Sequence, residues 1–274
     1  MPLPLEDNFN DIIGKAMRGL KLDDAAVAMR AANSHVSIDA RLVQEFREGT
    51  WREDAGHEIA RALGLNELAL AVSARRAWQP EPIALDGLAQ FNTPYDDMTV
   101  NSYLAWDAAT RAAVAFDSGA DCSEMLELIA TKKLELKLIL LTHTHGDHIF
   151  DLDRLKSKTG APAFVCEREP LEGAEPFAAG RSFEAGSLQI ESRSTWGHSS
   201  GGITFVIRGL AKPVAVVGDS IFAGSMGGGG IDYQAALKNN REQILTLPED
   251  TILCPGHGPL TTVGNEKRYN PFFP

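Results

Sequence analysis

A chain of 274 residues with 44% apolar and 23% charged side chains has ordinary globular composition, which excludes wholesale disorder and allows one large domain or two unequal ones. Its formal charge of −11 at pH 7 argues against nucleic acid as a partner, because a polyanion is gripped by a basic footprint. The opening stretch MPLPLEDNFN lacks the basic and apolar regions of a signal peptide, and no run reaches the roughly 18–20 apolar residues of a membrane span.

The first 80 residues read as short helices. Phe9, Ile12, Ile13, Ala16, Met17 and Leu20 recur at steps of three and four, which places them on one helical face. Leu22, Ala25, Ala26 and Met29 repeat the pattern, and Asp54 to Leu63 predicts a further helix stopped by Gly64. At WQPEP, residues 78–82, two prolines favour extended backbone and mark a linker. Beyond it NSYLAWD and AAVAFDSG flank a short polar turn and predict a hairpin. A helix over about 122–134 leads to the buried-looking strand LKLILLTH. PAFVCE, LQIES, ITFVIRG, PVAVVGDS and TILCPGHG read as further strands, with a helix near 233–246. Strands alternating with helices over this length predict a layered α/β domain, 81–274, behind a small all-α domain, 1–80. The first part carries a net charge of −2 and the second −9. Cys122, Cys166 and Cys254 lie far apart, outside any CxxC spacing, and read as buried small hydrophobes of a reduced, cytoplasmic protein. The glycine run 227–230 either lets backbone approach a ligand or forms a mobile loop, with the mobile loop favoured.

The stretch THTHGDH, residues 142–148, holds three of the chain's seven histidines and an aspartate. It follows an apolar strand, so the chain leaves a sheet edge there and turns at Gly146. In extended backbone His143 and His145 share a face, and after the turn Asp147 and His148 face a second direction. Three imidazoles and a carboxylate crowded together repel productive packing unless a cation holds them. His198 in TWGHSSGG, Asp219 in VVGDS and His257 in CPGHGP each follow a predicted strand or sit among glycines, where polar side chains reach a rim. His35 and His57 lie in the helical part and read as solvated. All seven donors are nitrogen or oxygen, a set that suits two divalent ions, Zn²⁺ first and Fe or Mn as well.

HTHGDH resembles the HxHxDH signature of the metallo-β-lactamase superfamily, and His198, Asp219 and His257 follow in the order shown by its glyoxalase II-like, hydroxyacylglutathione hydrolase-like members. The resemblance covers about residues 91–274 and implies an αβ/βα sandwich with the metals at one edge. It further implies that His143, His145 and His198 hold one ion, that Asp147, His148 and His257 hold the other, and that Asp219 bridges them. Asp147 and Asp219 are then the catalytic carboxylates beside a metal-bound hydroxide that attacks a thioester or ester. The ending PGHGPLTTVGNEKRYNPFF also resembles that of short glyoxalase II-like proteins, without the C-terminal helical domain of longer ones.

The resemblance stops short of the substrate. Enzymes acting on glutathione thioesters carry a lysine soon after the bridging aspartate, where this chain has FAGSMGGGGIDY. Lys267 and Arg268, before NPFFP, are the candidate contacts for a substrate carboxylate. Persulfide dioxygenases, the iron-dependent alternative, show Gly-Arg-Thr-Asp where this chain has GGGGID. Nucleases of the superfamily share HxHxDH, but a net −9 fits a nucleic-acid substrate poorly. The first 75 residues resemble a λ-repressor-like helix-turn-helix domain through IIGKAMRGLKLDDAAVAMRAA, VSIDARLVQEFREG and IARALGLN, which makes a metal-sensing DNA-binding regulator a second reading. Asp39, Glu45 and Glu48 beside Arg41 and Arg47 on its third helix oppose DNA contact. The head is therefore read as a helical module reused for packing on the hydrolase or for self-association into a homo-oligomer. The expected partner is a small thioester or ester, with neither nucleic acid nor membrane.

Overall fold

The computed structural model describes residues 3–32 and 35–274; Met1, Pro2, Asn33 and Ser34 lie outside the described residues. The head contains α1 (Phe9–Leu20), α2 (Asp24–Arg30), α3 (Ala40–Arg47), α4 (Glu53–Ala62) and α5 (Glu67–Ala74). Asp23, Asp39 and Asn66 start α2, α3 and α5 by accepting from Ala26 N, Leu42 N and Ala69 N, each three residues on. On the face read for α1, Phe9, Ile12, Ile13, Ala16 and Met17 are buried, and Leu20 is half-buried. In α2 the buried residue is Val27, and Met29, placed on the apolar face by its spacing, is 77% exposed. A seven-residue helix buries one stripe only, and Val27 occupies it.

Two mixed six-stranded sheets follow. The first contains β1 (Leu88–Tyr95), β2 (Met98–Trp106), β3 (Ala112–Phe116), β4 (Glu135–Leu140), β5 (Ala163–Cys166) and β6 (Glu175–Phe177) in that spatial order. On the chain between these strands lie α6 (Ser123–Lys132), α7 (Gly146–Ile149) and α8 (Leu152–Thr159). The second sheet runs β12-β11-β10-β9-β8-β7, from β7 (Ser182–Ala185), β8 (Leu188–Ser194), β9 (Ile203–Arg208), β10 (Val214–Gly218), β11 (Ile252–Pro255) and β12 (Thr261–Thr262). It is accompanied by α9 (Tyr233–Asn239), a π-helical turn at Asn240–Ile244 and α10 (Val263–Tyr269). This is the αβ/βα sandwich with a helical N-terminal region that the resemblance implies.

Side-chain alternation sets the layers. In β3, Ala112, Val114 and Phe116 face the core between the sheets, which Phe164, Phe177, Phe183 and Phe205 also fill. Ala113 and Ala115 face outward, onto Met125 of α6 and Leu152 and Leu155 of α8. In β10, Val214 and Val216 point inward while Ala215 and Val217 point outward, into a core that contains Ile12, Ile13, Phe46, Ile59 and Leu70 of the head. Gly19 on α1 lies so close to Tyr233 that a Cβ there would stand 2.3 Å from its ring. Asn66 N donates to Pro271 O at 2.7 Å. The head thus packs on the outer face of the second sheet, together with α9 and α10. Each apolar side chain buried there contributes on the order of 1.5–3 kcal/mol. Among the described residues no helix is long and apolar enough to cross a membrane.

The helix predicted over 233–246 is α9 followed by the π turn. That turn buries Asn240, whose Nδ2 donates to Ser220 O at 2.7 Å and so fixes the residue after Asp219.

Candidate metal centre

The chain delivers its polar residues to one end of both sheets. His143 and His145 follow β4 in extended backbone, and Gly146 opens α7, so Asp147 and His148 project from the first turn of a helix. His198 lies in the connection from β8 to β9, Asp219 directly after β10, and His257 two residues after β11. The loop of His257 is tied to the opposite sheet: Asn101 Nδ2 donates to Pro255 O and Gly258 O at 2.9 and 2.8 Å, and Tyr103 Oη donates to Pro255 O at 2.6 Å.

All seven side chains predicted as donors converge. His143, His145, His198 and Asp219 form one group and Asp147, His148 and His257 another, with ligand atoms within 4.8 Å of one another in each. Their ring orientations are fixed from behind. His257 Nδ1 lies 2.7 Å from Thr99 O and His198 Nδ1 2.9 Å from Gly228 O. A carbonyl only accepts, so both Nδ1 atoms carry a proton and both Nε2 atoms are turned toward the centre. His148 Nδ1 donates to Asp117 Oδ2 at 2.8 Å. Thr142 Oγ1 donates to the same oxygen at 2.7 Å, which leaves its lone pair to accept from His143 Nδ1 at 3.0 Å.

The inward-facing atoms crowd one another. His145 Nδ1 stands 3.1 Å from His143 Nε2 and 3.0 Å from His198 Nε2. Both separations are close to the roughly 3.3 Å edge of a tetrahedron built on 2.0–2.1 Å zinc–nitrogen bonds. His148 Nε2 and Asp219 Oδ1 are buried without a hydrogen-bond partner, 3.2 Å apart. Asp219 Oδ2 lies 3.3 Å from His198 Nε2 and 3.4 Å from His257 Nε2, so this carboxylate stands between the two groups. The cluster fits a dinuclear metal site.

Electrostatics in the metal-free protein show the same demand for positive charge. Burial pushes the Asp219 carboxyl up, but the charges of His148 and His257 outweigh it and hold it well below the usual carboxylate range. Burial opposes charge on His257 too, yet Asp219 raises it to about 9. His143 is held well below the ordinary histidine value by burial and by the neighbouring charge of His148.

Asp117 was not singled out by the sequence. It sits directly after β3 at φ +57, is 2% exposed, and its Oδ1 also accepts from Thr142 N at 2.8 Å. An acid in FDSG after a strand reads as a turn residue, and only the fold shows it behind His148. Asp117→Asn keeps the shape but turns an acceptor pair into an amide. Metal affinity is expected to fall by about 10- to 100-fold, checked by competition with a chelator.

The other sequence candidates lie elsewhere. Lys267 and Arg268 are exposed on α10, with Lys267 reaching Glu249 Oε1 at 3.6 Å and Arg268 over the Tyr269 ring. His57 pairs with Glu53 and Glu67 on the head, and His35 is exposed. The glycine run is packed rather than mobile at two of its positions. A Cβ on Gly227 would lie 1.9 Å from Asp219 O, and one on Gly229 2.4 Å from Tyr233 Cα.

Known proteins are similar to this chain. The family model of the metallo-beta-lactamase superfamily matches residues 95–257. The hydroxyacylglutathione hydrolase GloC of Haemophilus influenzae is 32% identical over 197 residues, 63% of this chain and 92% of that protein. The crystal structure of BLEG-1 B3 metallo-beta-lactamase is similar with a TM-score of 0.58 and 28% identity, over 68% of this chain and 99% of that one. That of TTHA1623 in a di-iron-bound form gives 0.56 and 28%, over 66% and 99%. With a family match over more than half its length and the dinuclear donor set in place, the chain belongs to the metallo-beta-lactamase superfamily.

Proposed function

We propose that this protein is a dinuclear metal-dependent hydrolase of a thioester or ester. The observation that carries the reading is the convergence of imidazole nitrogens and carboxylates from both sheets on two adjoining points. In this reading His143, His145 and His198 hold one divalent ion, Asp147, His148 and His257 the other, and Asp219 is shared. When bound, such a pair of ions supplies a hydroxide nucleophile at neutral pH and polarises a carbonyl. The protein's own part is to hold the geometry. Thr99, Gly228, Asp117 and Thr142 lock four imidazoles with Nε2 inward, so no reorganisation accompanies reaction. Exposed His145 marks the open side from which a substrate reaches the site.

A thiolate derived from a thiol of pKa about 8.5 leaves without much help from a general acid, which favours thioesters. The hydroxyacylglutathione hydrolase relative supports the same class. The DNA-binding reading loses support on α3, where Arg41 pairs with Glu45 and Arg47 with Asp24, leaving these two cations committed.

The test is elemental analysis of the purified protein alongside turnover of S-lactoylglutathione and a simple acyl thioester. About two zinc or iron ions per chain and thioester turnover are expected, with both reduced in His143→Ala. Full turnover by that variant, or a single iron with oxygen uptake on a persulfide, would refute the proposal.

A further inference from the structure

The segment leading into α1 lies against the two loops that carry Asp219 and His257. Asp7 Oδ2 accepts from Ser225 Oγ at 2.6 Å and from Lys15 Nζ. Lys15 Nζ also donates to Met226 O at 2.9 Å and lies 4.9 Å from the centre of the Phe222 ring, whose neighbour, 5.4 Å away and edge-on, is His257. On the other side Gly258, at φ +74, passes so close that a Cβ would lie 3.3 Å from Glu6 N and 3.5 Å from Pro4 O. Gln79 Nε2 holds Leu3 O at 2.8 Å. The segment is thus pinned at Leu3, at Asp7 and along Gly258, and Glu6 lies between these anchors, against the loop that carries His257.

Asp7 and Lys15 satisfy each other. Among the described residues the carboxylate of Glu6 has neither an ion pair nor a hydrogen-bond partner. Its proton affinity is raised, first by burial, and His257, Asp7, Lys15 and Asp219 are the charged groups around it.

We propose that the N-terminal segment forms one wall of the substrate site and that Glu6 is a specificity-determining residue there, disfavouring ligands with an anionic tail and favouring neutral or cationic ones. This rests on the hydrolase reading above and narrows it: the preferred thioester or ester carries no carboxylate on the portion that faces Glu6.

The experiment uses two thiols that offer the ions the same sulfur but opposite tails, mercaptoacetate and 2-aminoethanethiol, titrated calorimetrically into the zinc-loaded full chain near pH 8. Glu6→Gln is expected to shift the ratio of the two Kd values toward mercaptoacetate by about 3- to 30-fold, the range for unit charges several ångströms apart in a partly solvated site. Glu6→Lys should shift it further. Glu48→Gln removes an equal charge from an exposed position of the head and should leave the ratio unchanged. An unchanged ratio in Glu6→Gln, with both thiols still binding, overturns this inference alone. Failure of both thiols to bind the zinc-loaded wild type overturns the metal-centre reading and this inference with it.

Discussion

Replacing Asp219 with alanine is expected to strip the metal centre and to lower kcat/KM by about 10³-fold or more, which corresponds to roughly 4 kcal/mol of lost transition-state stabilisation. The side chain is 7% exposed and stands among imidazoles on every side: Oδ2 is 3.3 Å from His198 Nε2, 3.4 Å from His257 Nε2 and 3.9 Å from His143 Nε2, and Oδ1 is 3.2 Å from His148 Nε2. Without it, on the proposed reading both ions would lose the shared anionic ligand, and in the metal-free protein His148 and His257 lose the carboxylate that raises their basicity. Removing one member of a buried charged set leaves the others uncompensated, which is costlier than its attraction alone implies. Elemental analysis and thioester turnover check this together. Wild-type metal content with wild-type turnover in the variant would remove Asp219 from the mechanism.

Gly256→Ala is expected to damage the same centre by adding a single methyl group. A Cβ at Gly256 would lie 2.0 Å from Asp219 Oδ1 and 2.6 Å from His148 Cε1, far inside van der Waals contact. The backbone cannot retreat easily, because Gly256 N donates to Gly218 O at 2.9 Å and Asn101 N donates to Gly256 O at 2.7 Å. The carboxylate or the imidazole must therefore move, and a displacement of this size at a ligand weakens metal binding by about 10- to 100-fold or more. Turnover should fall in step, while the fold persists, since the inter-sheet core is untouched. Chelator competition and circular dichroism on the same sample separate the two effects. A variant with native metal affinity would show that the loop relaxes freely and that the tight packing is incidental.

The donor set was legible because the signal is dense. Four donors fall within residues 143–148, and His198, Asp219 and His257 stand at strand ends, where polar side chains reach a rim. What supports them was not. Asp117 and Thr142 act through bonds to His148 and His143 that exist only once β3 and β4 lie side by side. The strand β1 went unread because Gln90, Asn92 and Pro94 break its apolar alternation; it is held as an edge by pairing with β2. The glycine run could not be told from a flexible loop, as the need for Gly227 comes from a carbonyl in another element. Asp7 and Ser225 are separated by 218 positions, and no local pattern announces such a contact. Sequence reading recovers periodicity and clustered chemistry, and misses what depends on distant segments meeting.

The core shared by the head and the second sheet bears on how the protein falls apart. Ile12, Ile13, Phe46 and Leu70 pack in the same cluster as Val206, Ala215, Val217 and Leu253. Loosening α1 or α3 would bare the outward face of β10, an apolar surface of the kind that drives aggregation. Head and sandwich are then expected to unfold as one cooperative unit. A lesion in a helix remote from the histidines reaches catalysis through the folded population, and a chain severed at WQPEP would yield a sticky remnant rather than a minimal enzyme.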